Sequence, residues 1–205
     1  MLRKCTTHMA YSSCYSKVHC EMLSAVKLPL PVDASRLHTD LALIDPSEFI
    51  PHFNKSYYEG EWSAVALRST SGSASQIYPD PTKQEFLETA VLGRCPYFRE
   101  LLQTFECPLL SARLLRLRAG SRVLEHRDLN LGYEDGEVRV HIPILTSPDV
   151  DFIVDGERLD LKPGECWYIN FNLPHSVYNR SANDRIHLVI DCVLNDWLRA
   201  LFPAS

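Results

Sequence analysis

From Ser111 onward the chain carries short runs in which apolar and polar positions alternate. "ARLLRLRAG", "EVRVHIPILT", "VDFIV", "ERLDL", "CWYINF" and "RIHLVIDCV" follow closely on one another, each with the period of two that sends successive side chains to opposite faces of a strand. Turn signals such as Asp155-Gly156 and Pro163-Gly164 separate them, and a series of short strands so spaced predicts a sandwich or small barrel over about residues 111–195. Ahead of it the pattern is mixed. "LHTDLALIDPSEFIPHF" can supply one or two short helices, and "WSAVALRST" alternates as a strand before the flexible "SGSAS". Residues 82–105 return to helical spacing, with Thr82 available as a cap and Pro96 dividing two helices. "NDWLRALF" reads as a closing helix whose N-terminus Asp196 favours.

Residues 1–33 hold neither period and close on the proline-rich "KLPLPVD". They are expected to form a tail or irregular arm, with 34–205 as a single domain and Met22 as an alternative start. The chain has 205 residues, 45% apolar and 23% charged, which suits one sizeable core. A net charge of −5 gives no footprint for nucleic acid. No run reaches the roughly 18 apolar residues of a membrane span, and the N-terminus lacks the apolar segment of a secretory signal; a cytoplasmic location is expected. Of seven cysteines, Cys95, Cys107, Cys166 and Cys192 sit among apolar neighbours as reduced core thiols do. Cys5, Cys14, His19 and Cys20 lack the paired spacing of a zinc site.

Candidate chemistry gathers in "EHRDLNLGYEDGEVRVHIPI", residues 125–144. His-Arg-Asp-Leu is a kinase tripeptide and more, but the chain has no glycine-rich phosphate cover, strand lysine or DFG to go with it. In an extended segment His126 and Asp128 share a face, and His175 in "NLPHSVYN" offers a third ligand. Together they form a 2-His-1-carboxylate facial set, which suits iron and leaves positions open for substrates. The plainer alternative is a turn histidine and a surface histidine. Two strands each carry Arg-x-His on one face, as Arg139 with His141 and Arg185 with His187. Buried guanidinium groups call for carboxylates. A diacid bound to the metal would satisfy Arg185, and Asp184, Glu137 or Asp191 are the alternative partners for either arginine. Tyr168, Asn170 and Asn172 alternate before His175 and either support the ligands or simply pack.

The blocks "GEWSAVALRS", "FECPLLSARLLRLRAGSRVLEHRD", "VRVHIPI", "GECWYINFNLPHSVYN" and "DRIHLVID", in that order, resemble the aspartyl/asparaginyl β-hydroxylase family of iron and 2-oxoglutarate dependent oxygenases, and also bacterial proline cis-hydroxylases. The resemblance implies a mainly β fold with flanking helices, built on a double-stranded β-helix of jelly-roll or cupin-like type. It implies Fe(II), 2-oxoglutarate and O2 as cofactors, with His126, Asp128 and His175 as iron ligands. Arg185 would hold the distal carboxylate of 2-oxoglutarate, with Arg139 and His141 contributing to that site. The animal aspartyl/asparaginyl enzymes lack the carboxylate ligand; Asp128 is present here as in the proline-type members. The implied reaction is hydroxylation of an unactivated carbon, with release of succinate and CO2. A non-catalytic barrel binding a metal or small carboxylate, and a cupin-type dioxygenase needing no cosubstrate, are the rival functions. Arg68, Arg116, Arg118 and Arg122, placed near the expected mouth, suggest a carboxylate-bearing, amino-acid-like substrate, free or part of a peptide or carrier; exposed salt bridges are their plainer explanation.

Overall fold

The strand runs fold into two facing antiparallel sheets in the computed structural model, which describes residues 23–203. In chain order the elements begin with β1 (Ala25–Leu28), α1 (Ala34–Leu41), β2 (Ile50–Pro51), β3 (Tyr58–Glu59), β4 (Trp62–Ser69) and β5 (Leu87–Glu88). Helices α2 (Ala90–Arg94) and α3 (Pro96–Gln103) come next. The core strands are β6 (Leu109–Leu117), β7 (Arg122–His126), β8 (Glu137–Leu145), β9 (Val150–Val154), β10 (Glu157–Leu159), β11 (Cys166–Ile169), β12 (His175–Asn179) and β13 (Arg185–Val193), with α4 (Asp196–Arg199) last.

The larger sheet runs β1-β11-β8-β13-β6-β4-β2, with β5 on β4, and the smaller runs β10-β9-β12-β7-β3. From β6 to β13 the chain crosses repeatedly between the two: β6, β8, β11 and β13 lie in one sheet and β7, β9, β10 and β12 in the other. That winding is the double-stranded β-helix of the jelly-roll type.

Period-two alternation gives the larger sheet two unlike faces. Outward go Leu114, Val138, Val140, Ile142, Leu188 and Ile190, which pack with Leu37 of α1, Val91 of α2 and Phe98 of α3 in one apolar core. Inward, toward the smaller sheet, β6 presents Ser111 and Arg113, β8 presents Arg139 and His141, and β13 presents Arg185, His187 and Asp191, all buried or nearly so. A second apolar core of Leu117, Val123, Phe152, Val154, Ile169 and Val177 closes one end of the space between the sheets.

Several expectations are corrected in detail. Residues 1–22, with Cys5, Cys14, His19 and Cys20, lie outside the described residues, while Ala25–Leu28, placed in the irregular arm, is an edge strand paired with β11. Thr82 does not cap a helix: its hydroxyl bonds Asp80, and the cap is Thr89, whose Oγ1 accepts from Leu92 N at the start of α2. Pro96 does divide α2 from α3, and Asn195 caps α4, with Asp196 in its first turn. Cys95, Cys107, Cys166 and Cys192 are buried free thiols. Among the described residues no helix is long and apolar enough to cross a membrane.

Candidate functional site

His126 ends β7 and His175 begins β12, and the two are direct cross-strand partners in the smaller sheet. Adjacent strands bring opposed side chains together, and here the imidazole centroids stand 4.3 Å apart. Asp128 leaves the strand two residues later, where its backbone N–H donates to Phe171 O at 2.9 Å. One ligand atom from each of His126, Asp128 and His175 lies within 4.8 Å of the others. Asp128 Oδ1 is 3.7 Å from His126 Nε2.

Both imidazoles are oriented the same way. Nδ1 of His126 meets Leu124 O at 2.7 Å and Nδ1 of His175 meets Leu173 O at 3.0 Å. A carbonyl can only accept, so each Nδ1 carries a proton and each Nε2 is the nitrogen left to meet a metal, the arrangement that fixes a histidine as a ligand. Burial lowers the His175 pKa to about 4, so the ring is neutral at neutral pH. The ring of Tyr57 lies parallel to that of His126 at 4.9 Å. The donor set, two bare imidazole nitrogens and a carboxylate oxygen with open space beside them, fits a divalent iron-type ion.

The three groups line a cavity of about 900 Å³ between the sheets, near the upper end of ordinary ligand sites. Its walls are mostly apolar, with Val123, Phe152, Phe171 and Val177 among them and with His52 packed against Trp62 and Tyr78.

Arg139 and Arg185 occupy this cavity in different ways. Arg139 donates from Nη1 to Asp128 Oδ2 at 2.5 Å, and from Nε and Nη2 to the two oxygens of Asp191 at 2.6 and 3.2 Å. Asp191 also accepts from Ser111 Oγ at 2.7 Å and from Arg113 Nη1 at 3.0 Å. Burial works to raise the carboxyls of Asp128 and Asp191, but the adjacent guanidinium charges outweigh it and hold both below the ordinary range. Burial disfavours the Arg139 charge too, and Asp191 and Asp128 more than restore it.

Arg185, 2% exposed, has no carboxylate partner among the described residues. Its Nη2 donates to His187 Nδ1 at 2.8 Å, its Nε meets no acceptor, and its guanidinium lies 5.3 Å from the Phe152 ring. Burial alone lowers its pKa to about 9, so the charge persists at neutral pH. Because His187 Nδ1 accepts from Arg185, the 3.4 Å contact from His141 Nδ1 to the same atom requires that His141 donate. Burial, then the Arg185 charge, keeps both imidazoles neutral.

The structure thus brings His126, Asp128, His175, Arg139, His141 and Arg185 to one cavity. The arginines expected at its mouth are not there. Arg118 pairs with Glu61 and Asp184, Arg122 with Glu59, Arg116 lies over Phe49, and Arg68 donates to Phe86 O. Tyr168 and Asn172 brace the loop after Asp128, Tyr168 Oη accepting from Tyr133 N and Asn172 Oδ1 from Leu131 N; Asn170 Oδ1 accepts from Asn172 N. Sequence reasoning missed Arg113 and Ser111 as cavity residues. Their alternation with Ala112 and Leu114 was the available signal, obscured by the apolar run around them.

A family model described as aspartyl/asparaginyl beta-hydroxylase matches residues 36–194. Among curated proteins, L-proline cis-4-hydroxylase of Rhizobium meliloti (strain 1021) is 27% identical over 161 residues, 78% of this chain and 57% of the relative. L-proline cis-3-hydroxylase 2 of a Streptomyces species is 27% identical over 174 residues, 83% of this chain and 60% of the relative. The chain therefore spans less than two thirds of the length of these relatives. Two solved structures share the fold: an oxidoreductase of the 2OG-Fe(II) oxygenase family from Burkholderia pseudomallei, with TM-score 0.54, 16% identity and coverage of 83% of this chain and 85% of that one; and a non-heme alpha ketoglutarate dependent epimerase from nogalamycin biosynthesis, with TM-score 0.51, 15% identity and coverage of 83% and 77%.

Proposed function

Because the chain belongs to the aspartyl/asparaginyl β-hydroxylase family, we propose that it is an Fe(II)- and 2-oxoglutarate-dependent dioxygenase. Its reaction is hydroxylation of an unactivated carbon of a carboxylate-bearing, amino-acid-like substrate, free or held in a peptide or on a carrier, with release of succinate and CO2. The observation that carries this reading is an open three-ligand set and an unpaired buried guanidinium lining one cavity.

His126 Nε2, His175 Nε2 and an oxygen of Asp128 would hold the iron. Iron bound there would supply the oxygen activation that couples decarboxylation of 2-oxoglutarate to hydroxylation. The remaining tasks fall to the protein. Arg185 offers the distal carboxylate of 2-oxoglutarate a cation in a dry pocket, where an ion pair is strong and its fork fixes orientation. His141 supports that end through His187, whose Nδ1 ties both to Arg185. Phe152, Phe171, Val123 and Val177 keep water from the reacting carbon.

The lining carries four cations, Lys83, Arg113, Arg139 and Arg185, and four carboxylates, Asp80, Asp128, Glu137 and Asp191, so support for a carboxylate on the substrate comes from an individual arginine and its planar fork rather than from a net charge. Arg113, whose Nη1 is engaged by Ser111 and Asp191 while its side chain lines the cavity, takes the place of the four arginines first considered. The similarity to two L-proline hydroxylases agrees with an amino-acid-like molecule.

Anaerobic titration calorimetry with Fe(II) and then 2-oxoglutarate tests the reading, followed by succinate release over a panel of amino acids and peptides. Both ligands are expected to bind, and His126→Ala or His175→Ala to abolish metal binding and turnover. Undiminished metal affinity in both variants would end the ligand assignment. Turnover confined to uncharged substrates would end the proposal of a carboxylate.

A further inference from the structure

The cavity holds more buried charge than iron and one cosubstrate require. Asp191 bonds none of the three candidate ligands directly, yet it lines the same cavity and is the most heavily engaged carboxylate among the described residues, accepting from Arg139, Arg113 and Ser111. Its side chain is 9% exposed, and those of Arg113 and Arg139 are 9% and 12% exposed. Burying so many charges together is costly and is expected to serve an arrangement.

A guanidinium is planar and rigid, so two of its N–H groups held by one carboxylate fix the direction of the rest. Asp191 holds Nε and Nη2 of Arg139 in that way, on the strand beside it, where Asp191 and Arg139 are register partners of β13 and β8. Nη1 then points at Asp128 Oδ2. With Oδ2 so occupied, Asp128 turns its other oxygen, Oδ1, toward His126 Nε2.

We propose that Asp191 is a positioning residue for the metal. Through Arg139 it fixes the rotamer of Asp128, so that one oxygen of that carboxylate faces the ion and the other is withheld from it. This inference rests on the iron-site reading above. It reassigns Arg139 from the cosubstrate to the metal ligand, and leaves Arg185 as the sole arginine for the distal carboxylate of 2-oxoglutarate.

A double-mutant cycle read by metal affinity alone tests the assignment, with Co(II) as probe, no 2-oxoglutarate present, and calorimetry or the visible absorption of the bound ion as the signal. Loss of a partner that orients a metal ligand typically weakens binding about 10–100-fold. Asp191→Asn is expected to weaken Co(II) binding to that extent in the chain that carries Asp128. In the Asp128→Asn background the same substitution should change affinity by less than about twofold, because the carboxylate through which it acts is gone. General damage to the fold would instead lower affinity equally in both Asp128 backgrounds, and equal losses, or no loss, overturn the proposal. If Asp191→Asn does not fold, Arg139→Lys asks the same question, since it keeps the charge and removes the fork; it should lose affinity only where Asp128 is present, and equal losses in both backgrounds again overturn the proposal. Failure of the unsubstituted protein to bind Co(II) or Fe(II) would instead refute the iron-site reading itself.

Discussion

Arg139 and Arg185 stand on neighbouring strands, on the same inward face of one sheet, Arg185 buried and Arg139 nearly so. Around Arg139 every charge is answered: two carboxylates, a second arginine and a serine hydroxyl close the cluster. Among the described residues Arg185 meets a neutral imidazole and an aromatic ring, and no carboxylate. The comparison separates two uses of a buried charge. A cation paired within the protein organises its neighbours and asks nothing further of the environment. A cation left unpaired lowers the stability of the empty fold, and the anion that relieves it gains that energy as affinity.

The largest effect expected from this contrast concerns the closed cluster. Arg139→Met leaves Asp191 and Asp128 without their shared partner, and breaking a buried pair by removing one member costs about 3–5 kcal/mol; urea unfolding of the metal-free protein measures it. A loss below about 1 kcal/mol would show that the cluster is not tightly coupled. Arg185→Met should act in the opposite sense on the empty protein, stabilising it by about 1–4 kcal/mol, since an apolar chain replaces a desolvated charge. The same variant should lose about 2–5 kcal/mol of 2-oxoglutarate affinity while still binding iron. Thermal unfolding with and without 2-oxoglutarate reads both, and destabilisation of the empty protein would erase the distinction between the two arginines. The smallest effect belongs to the exposed pairs. Arg122→Ala or Arg118→Ala should change stability by less than about 1 kcal/mol and leave the Michaelis constant for 2-oxoglutarate unaltered. A large effect on that constant would return these residues to the mouth of the site.

Strands β6, β8, β9, β10, β11 and β13 were legible from alternation and all fall on runs recognised in the sequence. Strands β7 and β12 were harder to see. In β12 the period of two is intact, but two of its buried positions are His175 and Asn179, so polarity hides the pattern. In β7 the strand is five residues long with exposed Arg122 and Glu125. The site shows the same division. His126 and Asp128 could be paired from local spacing, whereas the bond between Arg113 and Asp191 joins positions that only the β6–β13 register brings together. Sequence also could not say which arginine would find a carboxylate. Arg139 and Arg185 both sit in Arg-x-His, and what differs is the residue across the sheet: Asp191 beside Arg139, Leu117 beside Arg185.

Strand β1 guards the open margin of the larger sheet. Lys27 faces solvent there and pairs with Glu165, while Val26 and Leu28 are buried. Were β1 removed, the "CWYI" strand behind it would become the margin, with its backbone N–H and C=O groups unpaired over an apolar, uncharged stretch. Such a margin recruits other chains. Translation from Met22 would keep this guard, because β1 begins at Ala25. A cut placed after Leu28 would leave every candidate ligand in the polypeptide, and its first symptom would be self-association and precipitation, before any defect in the cavity.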